Sequence, residues 1–356
     1  LYLVDKYLFF LSPAEVFGVI INIIMNDKNF KKVIILITRK LPEKIEKKLE
    51  NNFSVILNKN DKKYSYKDLK KKVQNVDILV PCVSDTIDAS IIKSGSKLKL
   101  IANFGNGVDN IDLTTAKERK LMVTNTPDVL TEDTADLVLT MILMICRKIN
   151  VAQQKIMNRI WTGWGPSETL GEKLQGKKVG IIGMGRIGTA VAKRLNTIGM
   201  EINYHNRKKH SKKIETQLKA KFWGSLDQMI SKMDIISIHC PFTAETFHLL
   251  SKKRIRLLKK NCIVINTSRG EIIDEQALAD SLFKKKIGGA GLDVFEHEPQ
   301  ITQKLFDSDN VVLLPHISSA TKESRIAMGE RVFKNINYFL RQKTPPDLVK
   351  IKKTEY

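Results

Sequence analysis

Four polar residues in the C-terminal half of this chain could act together: Arg269, Asp293, Glu298 and His316. Each stands at or just past the end of a short apolar run, Cys262–Asn266, Gly289–Asp293 or Val311–Leu314. Histidine is the natural proton donor near neutral pH. A carboxylate beside it fixes its tautomer and favours its protonated form. Arginine offers a bidentate fork for a substrate carboxylate. Such a set suits hydride transfer to a carbonyl, which leaves charge on oxygen and calls for a proton. Taken singly, each has a plainer reading as a Pro-His turn, a surface Glu-Pro or an Arg-Gly loop. Their common place after strands of one predicted sheet favours chemistry.

A source of hydride is written in Lys177-Lys-Val-Gly-Ile-Ile-Gly-Met-Gly-Arg-Ile-Gly188. Val179, Ile181 and Ile182 read as a buried strand, and Gly183, Gly185 and Gly188 fill G-x-G-x-x-G. Gly183 allows the tight turn, Gly185 lets a pyrophosphate approach the backbone, and Gly188 lets the next helix lie close to the sheet. That helix, over about 189–198, buries Ala190, Val191, Ala192 and Leu195, and its N-terminus points N–H groups at the phosphates. Strands at 202–205, 234–239, 262–266, 289–293 and 311–314 follow, making six with the first. A closing helix spans 323–340.

The elements ahead of this unit alternate in the same way. Strands are expected within 32–38 and at 55–57, 78–80 and 98–103, with helices at 42–51, 66–73 and 87–94. This βαβαβ order implies a second, smaller parallel sheet. Phe104-Gly-Asn-Gly-Val-Asp-Asn-Ile-Asp112 lies beyond a strand end, where Asn106 and Gly107 could form an anion-binding nest or an ordinary turn. Residues 123–127 read as an extended crossover. A long apolar helix then opens at Thr131-Glu-Asp-Thr-Ala-Asp136, with Thr or Asp as N-cap. The loop Trp161-Thr-Gly-Trp-Gly-Pro166 should be buried, either in a subunit interface or within the chain.

Composition narrows the function class. A chain of 356 residues favours two domains, and 42% hydrophobic content supports real cores. The net charge of +22 comes mostly from lysines spread over every polar face, without interleaved aromatics, so a solvated surface is favoured over specific nucleic-acid binding. The four cysteines are isolated, which argues against a metal site and for reduced thiols in a cytoplasmic protein. Apolar runs at 7–11 and 16–24 are split by Pro13 and Glu15, and neither reaches a membrane span. We expect translation to start at Met25 and residues 1–26 to be an unfolded extension.

These motifs resemble the D-isomer-specific 2-hydroxyacid dehydrogenase family over about 33–346. The resemblance rests on Asn103–Asp112, Val123–Pro127, Gly183–Gly188, Ile265–Gly270, Gly291–Pro299 and Leu314–Thr321. Trp161–Trp164 and Tyr204-His-Asn-Arg207 look most like the glyoxylate/hydroxypyruvate reductase branch. The resemblance implies an α/β fold: a Rossmann doubly wound parallel sheet for the cofactor, residues 126–316, and a smaller flavodoxin-like substrate domain, 27–125 and 317–350. Crossings near 125–127 and 315–317 would be hinges whose closure excludes water. The implied activity is NAD(P)H-dependent reduction of glyoxylate or hydroxypyruvate. Alternatives are D-lactate or glycerate dehydrogenase activity, or a dinucleotide-sensing corepressor on the same fold.

Roles follow by the same resemblance. Arg269 would hold the substrate carboxylate and polarise the carbonyl, and His316 would be the general acid. Glu298, directly before Pro299, would be its partner in preference to Glu296. Asp293 would accept from the nicotinamide carboxamide, and the amides of Asn106 and Gly107 would bind the substrate carboxylate. The cofactor would further meet Gly183, Gly185, Arg186, Ile187, Gly188, Cys240, Pro241, Thr246, Thr267 and Thr134. NAD-binding units place an acid ~20 residues past the glycines. Here that place falls on Asn206, followed by Arg207, Lys208 and Lys209, which predicts NADP(H) preference with NAD(H) also accepted. A homodimer through 134–166 is expected.

Overall fold

The computed structural model describes residues 30–351. The Met25 start and the whole of the proposed extension lie outside the described residues. The chain divides into two compact units, one formed by residues up to Val129 and from Lys322 on, the other by Leu130–Thr321. These boundaries fall a few residues beyond the crossings expected from sequence.

In the first unit, β1 (Ile34–Ile37), α1 (Glu43–Asn52), β2 (Ser54–Ile56), α2 (Tyr66–Val73), β3 (Ile78–Val80), α3 (Ala89–Ser94), β4 (Leu100–Ala102), α4 (Leu113–Glu118) and β5 (Met122–Thr124) alternate. All pairings are parallel, in the order β2-β1-β3-β4-β5. This is the flavodoxin-like order. The continuous apolar runs exist because helices cover both faces: Leu36, Leu79 and Ile101 meet Leu69, Ile91 and Ile92 on one side. Ser65, Asp88 and Asp112 cap α2, α3 and α4 with their side chains. The stretch read as an extended crossover contains β5, which adds to the sheet edge by pairing Val123 with Ile101.

The second unit opens with α5 (Thr131–Cys146) and α6 (Ile149–Met157). There follow β6 (Lys178–Ile182), α7 (Arg186–Thr197), β7 (Glu201–His205), α8 (Lys212–Leu218), β8 (Lys221–Phe222), α9 (Leu226–Ile230) and β9 (Ile235–Ile238). Then come α10 (Lys252–Ile255), β10 (Ile263–Asn266), α11 (Glu275–Phe283), β11 (Gly289–Leu292), α12 (Gln303–Phe306) and β12 (Val311–Leu313). The sheet is all parallel, ordered β12-β11-β10-β9-β6-β7-β8. The order reverses at β6, which pairs with both β7 and β9, so the crevice beyond their ends is the switch point where ligands bind in such sheets. Two buried clusters cover its two faces, one built on α9, α10 and α11 and the other on α5 and α7. The chain returns to the first unit as α13 (Lys322–Leu340), where Gly329 lets α13 lie against Ile45 of α1.

Two expectations need correction, and one of the two alternatives for the tryptophan loop falls away. The sheet has a seventh strand, β8, whose two residues are too short to show a period. No Thr or Asp side chain caps α5. Its N-cap is Leu130, while the Thr134 hydroxyl donates to Leu130 O at 2.9 Å and Asp133 is bonded by Thr321. The tryptophan loop does not pack within the chain: Trp161 is 55% and Trp164 85% exposed. Among the described residues no helix is long and apolar enough to cross a membrane, and no cluster of metal-ligating side chains is found. The cysteines are free, and burial pushes the Cys82 and Cys262 thiols up to about 12.

Candidate active site

The glycine-rich turn occupies the switch point. Gly183 has φ 89°, and a Cβ there would stand 2.5 Å from the backbone N of Cys240. Only glycine satisfies both the left-handed turn and that approach. A Cβ on Gly188 would meet Gly183 O at 2.6 Å, so α7 can enter this close to β6 only without one. Gly185 differs: no heavy atom lies within 4 Å of its Cβ position. It is the N-cap of α7, and Arg186 and Ile187 form the first turn beside it. Open space over a backbone at a helix N-terminus is what a pyrophosphate requires. The Thr267 hydroxyl, buried and without a hydrogen-bond partner among the described residues, is a further opening for a ligand atom. The residues present therefore fit a dinucleotide.

At the end of β7, Asn206 turns back on the glycine turn: its Oδ1 accepts from Met184 N–H at 2.7 Å. His210 Nε2 lies 2.5 Å from Met184 O. Arg207 and Lys208 are exposed beside them, while Lys209 pairs with Glu215 at 3.4 Å. Beyond β9, Cys240 borders Gly183, and the Thr246 hydroxyl donates to Pro241 O at 2.8 Å, closing the loop between them. Thr134 is buried, and its hydroxyl also lies 3.4 Å from Ser318 O.

Register explains why distant residues share one rim. Asn266 pairs with Leu292, and Leu292 with Leu313, so β10, β11 and β12 end in line. Arg269, Asp293 and His316 leave from those ends. Asn266 Nδ2 donates to Arg269 O at 2.8 Å and its Oδ1 accepts from Ser268 N–H, which shapes the arginine turn. The Arg269 guanidinium donates to Ser268 O at 2.7 Å. A Cβ on Gly270 would fall 1.9 Å from the carbonyl carbon of Phe295, so the arginine segment lies directly on the loop that carries Glu298.

His316 Nδ1 meets Glu298 Oε2 at 3.1 Å, with the side chains 26% and 39% exposed. Burial pushes the Glu298 carboxyl up, but the His316 hydrogen bond and charge, the Phe295 N–H and the Arg269 charge together hold it below the ordinary glutamate value. Glu296 has a different partner, His248, at 2.7 Å. Asp293 has a task that spacing did not reveal. Its two oxygens accept from Ile317 N–H at 2.7 Å and Ser318 N–H at 2.8 Å, and its carbonyl accepts from His316 N–H at 2.9 Å. Burial raises this carboxyl, against the pull of those N–H groups and of the His316 charge. Apolar-run spacing gave no signal for Glu275 or His248, which support the Glu298 loop.

In the first unit, the loop after β4 is pinned through its carbonyls: Asn125 Nδ2 donates to Asn106 O and Asn103 Nδ2 to Gly107 O, each at 2.7 Å. The amides of Asn106 and Gly107 make no hydrogen bond among the described residues, which is consistent with a nest.

Residues 139–318 match the family described as D-isomer specific 2-hydroxyacid dehydrogenase, NAD binding domain. The chain is 42% identical to a glyoxylate reductase from Thermococcus litoralis over 319 residues, 88% of this chain and 96% of the relative. A solved structure from Polaromonas, named as a D-isomer specific 2-hydroxyacid dehydrogenase, superposes with a TM-score of 0.84 at 34% identity, covering 89% of this chain and 99% of that one. An NADPH-dependent glyoxylate/hydroxypyruvate reductase from Sinorhizobium meliloti, in complex with NADP and malonate, gives a TM-score of 0.78 at 31% identity, covering 89% of this chain and 96% of that one.

Proposed function

The chain belongs to the D-isomer-specific 2-hydroxyacid dehydrogenase family, and from that premise we propose that it reduces glyoxylate and hydroxypyruvate with NADPH, using His316 as general acid. It is an oxidoreductase of the CH–OH group with a nicotinamide dinucleotide, and it acts on small 2-oxo acids. The observation that carries the finer reading is the His316–Glu298 pair on the same rim as Arg269. NAD(P)H bound at the glycine turn supplies the hydride. Glu298 accepts from Nδ1–H, which fixes the tautomer and leaves Nε2 to deliver a proton to the carbonyl oxygen. Arg269 receives the substrate carboxylate and polarises the carbonyl. The resemblance assigns the amides of Asn106 and Gly107 to that same carboxylate. Asp293 is proposed to meet the nicotinamide carboxamide.

The NADPH reading rests on the lack of an acid at Asn206, whose carboxamide instead holds Met184, and on the exposed cations Arg207 and Lys208 beside it. The relative from Sinorhizobium meliloti is NADPH-dependent, which supports it. A panel of small 2-oxo acids with NADPH and NADH tests both proposals. Glyoxylate and hydroxypyruvate should lead, with NADPH preferred, and Arg207→Ala should narrow the cofactor ratio by about tenfold, the worth of one exposed charge-assisted bond. Equal kcat/KM for the two cofactors, or a ratio unmoved by Arg207→Ala, would remove the NADPH reading.

A further inference from the structure

His248 has no part in the scheme above, yet it joins the two segments that carry the reacting side chains. It follows the turn Ala244–Thr246 with a left-handed backbone, φ 47°. A residue other than glycine holds that conformation only when its surroundings fix it. Here its N–H donates to Glu271 O at 2.9 Å, two residues past Arg269. Its ring stacks on Phe247, with centroids 4.1 Å apart and 13° between planes. Nε2 meets Glu296 Oε1 at 2.7 Å, two residues before Glu298. One residue thus grips the arginine segment through its backbone and the glutamate loop through its ring.

The far side of the loop is held as well. Glu296 Oε2 accepts from Glu275 N–H at 3.3 Å, at the start of α11. Glu275 is buried, and its own oxygens accept from Glu296 N–H at 2.8 Å and Thr302 N–H at 2.9 Å. Glu296, whose side chain is only 15% exposed, is therefore the point where His248 on one side and α11 on the other meet the loop. Between these anchors and Gly270, which lies directly on Phe295, the position of Glu298 is set by neighbours rather than by its own flexible side chain.

We propose that His248, acting through Glu296, is a positioning residue that keeps the Arg269 segment and the Glu298 loop in one register and so sets the contact between Glu298 and His316. This rests on the roles proposed above for those three residues. Because His248 meets the loop at Glu296, and is none of the residues assigned to the dinucleotide, its removal changes how the reacting groups are aligned.

The test is a double-mutant cycle of His248→Leu and Glu298→Gln, read as kcat and KM with glyoxylate and NADPH. His248→Leu should lower kcat by on the order of ten- to a hundredfold, the cost of an ångström-scale misplacement, with KM for NADPH unchanged to within about twofold. In the Glu298→Gln background it should add little, since both changes disable one contact. His248→Gln keeps an N–H donor toward Glu296 and should recover most of kcat. An equal loss with and without Glu298→Gln, or no recovery in His248→Gln, overturns the proposal. If His248→Leu does not fold, Glu296→Ala removes the same pairing and is read in the same cycle. A wild type inactive on every 2-oxo acid would refute the functional reading instead. The imidazole ¹⁵N resonances of His316 then decide this proposal: it predicts that His248→Leu shifts them, and unshifted resonances overturn it.

Discussion

Two glycines three residues apart should fail in opposite ways when replaced by alanine. In Gly188→Ala the new methyl would stand 2.6 Å from Gly183 O and 3.1 Å from the Ile181 side chain. The oxygen is backbone and cannot swing aside, so α7 or β6 must shift. Such overpacking costs about 1–3 kcal/mol and should lower the melting temperature of the dinucleotide-free protein by several degrees. In Gly185→Ala the methyl meets nothing within 4 Å, at an ordinary negative φ of −80°. The dinucleotide-free protein should therefore melt close to where the wild type does, well above Gly188→Ala. The loss appears only on binding, because the methyl takes space proposed for the pyrophosphate. An affinity at least tenfold weaker corresponds to about 1.4 kcal/mol. At an NADPH concentration of 100 times the wild-type Kd, the stabilisation by ligand should fall from about 2.7 to about 1.4 kcal/mol. Thermal unfolding with and without NADPH, together with a fluorescence titration, measures all of these quantities. Wild-type affinity in Gly185→Ala, or instability of its free form to match Gly188→Ala, would refute the placement of the cofactor.

In the proposed reduction Glu298 holds the imidazole tautomer that delivers the proton, so Glu298→Gln should lower kcat for glyoxylate by on the order of a hundredfold. A kcat unchanged in Glu298→Gln would mean that Glu298 does not support the imidazole. Glu298 also links to stability: its carboxyl is lowered from 4.5 by folding, so its contribution is complete above that value and lost as pH falls through the lower, folded value. The stability difference between wild type and Glu298→Gln in urea should thus be flat at neutral pH and collapse only in acid, and a collapse already at about pH 6 would contradict the pairing. The exposed apolar run of Ile156 at 53%, Met157 at 68%, Ile160 at 64% and Trp164 at 85% should be covered in a two-fold homodimer. Sedimentation at micromolar protein should show a dimer, with Trp164→Lys weakening it; a monomeric wild type would sink this reading.

Much of this was legible because the signals were local and repeated. Continuous apolar runs ending in polar residues gave the long strands, and the run over Ile34–Ile37 is buried as two-sided covering demands. The glycine spacing gave the turn, since the left-handed φ of Gly183 and the approach of Gly188 to Gly183 O are local. Short pieces escaped because two or three residues carry no period: β8 is Lys221–Phe222, and β5 is three residues on a sheet edge, the first of them exposed. The α5 cap was misplaced because Thr and Asp are good caps in general, whereas here Thr134 and Asp133 bond elsewhere. The support of the Glu298 loop was not legible at all. Glu275, His248 and Glu296 are separated by tens of residues, and only the fold brings them together.

Asp293 shows how such a site is held. Its name in a spacing pattern suggests a ligand contact, but its geometry first of all organises the segment behind it. His316 has φ 57°, a left-handed conformation that costs on the order of 1–3 kcal/mol for a side chain of its size. Unaided, the chain would relax, and the imidazole would leave Glu298. The Asp293 carboxylate accepts the next two N–H groups, from Ile317 and Ser318, and hydrogen bonds to a charged group contribute about 1.5–3 kcal/mol each. Two of them outweigh the strain, and the Asp293 carbonyl adds a third bond, to His316 N–H itself. The same bonds offset part of the penalty of burying the carboxylate, which is fully inaccessible to solvent. The strained turn and the buried charge each require the other. That mutual requirement places His316 on the rim before any substrate arrives, and the proposed proton donor then needs no reorganisation at the moment of reaction.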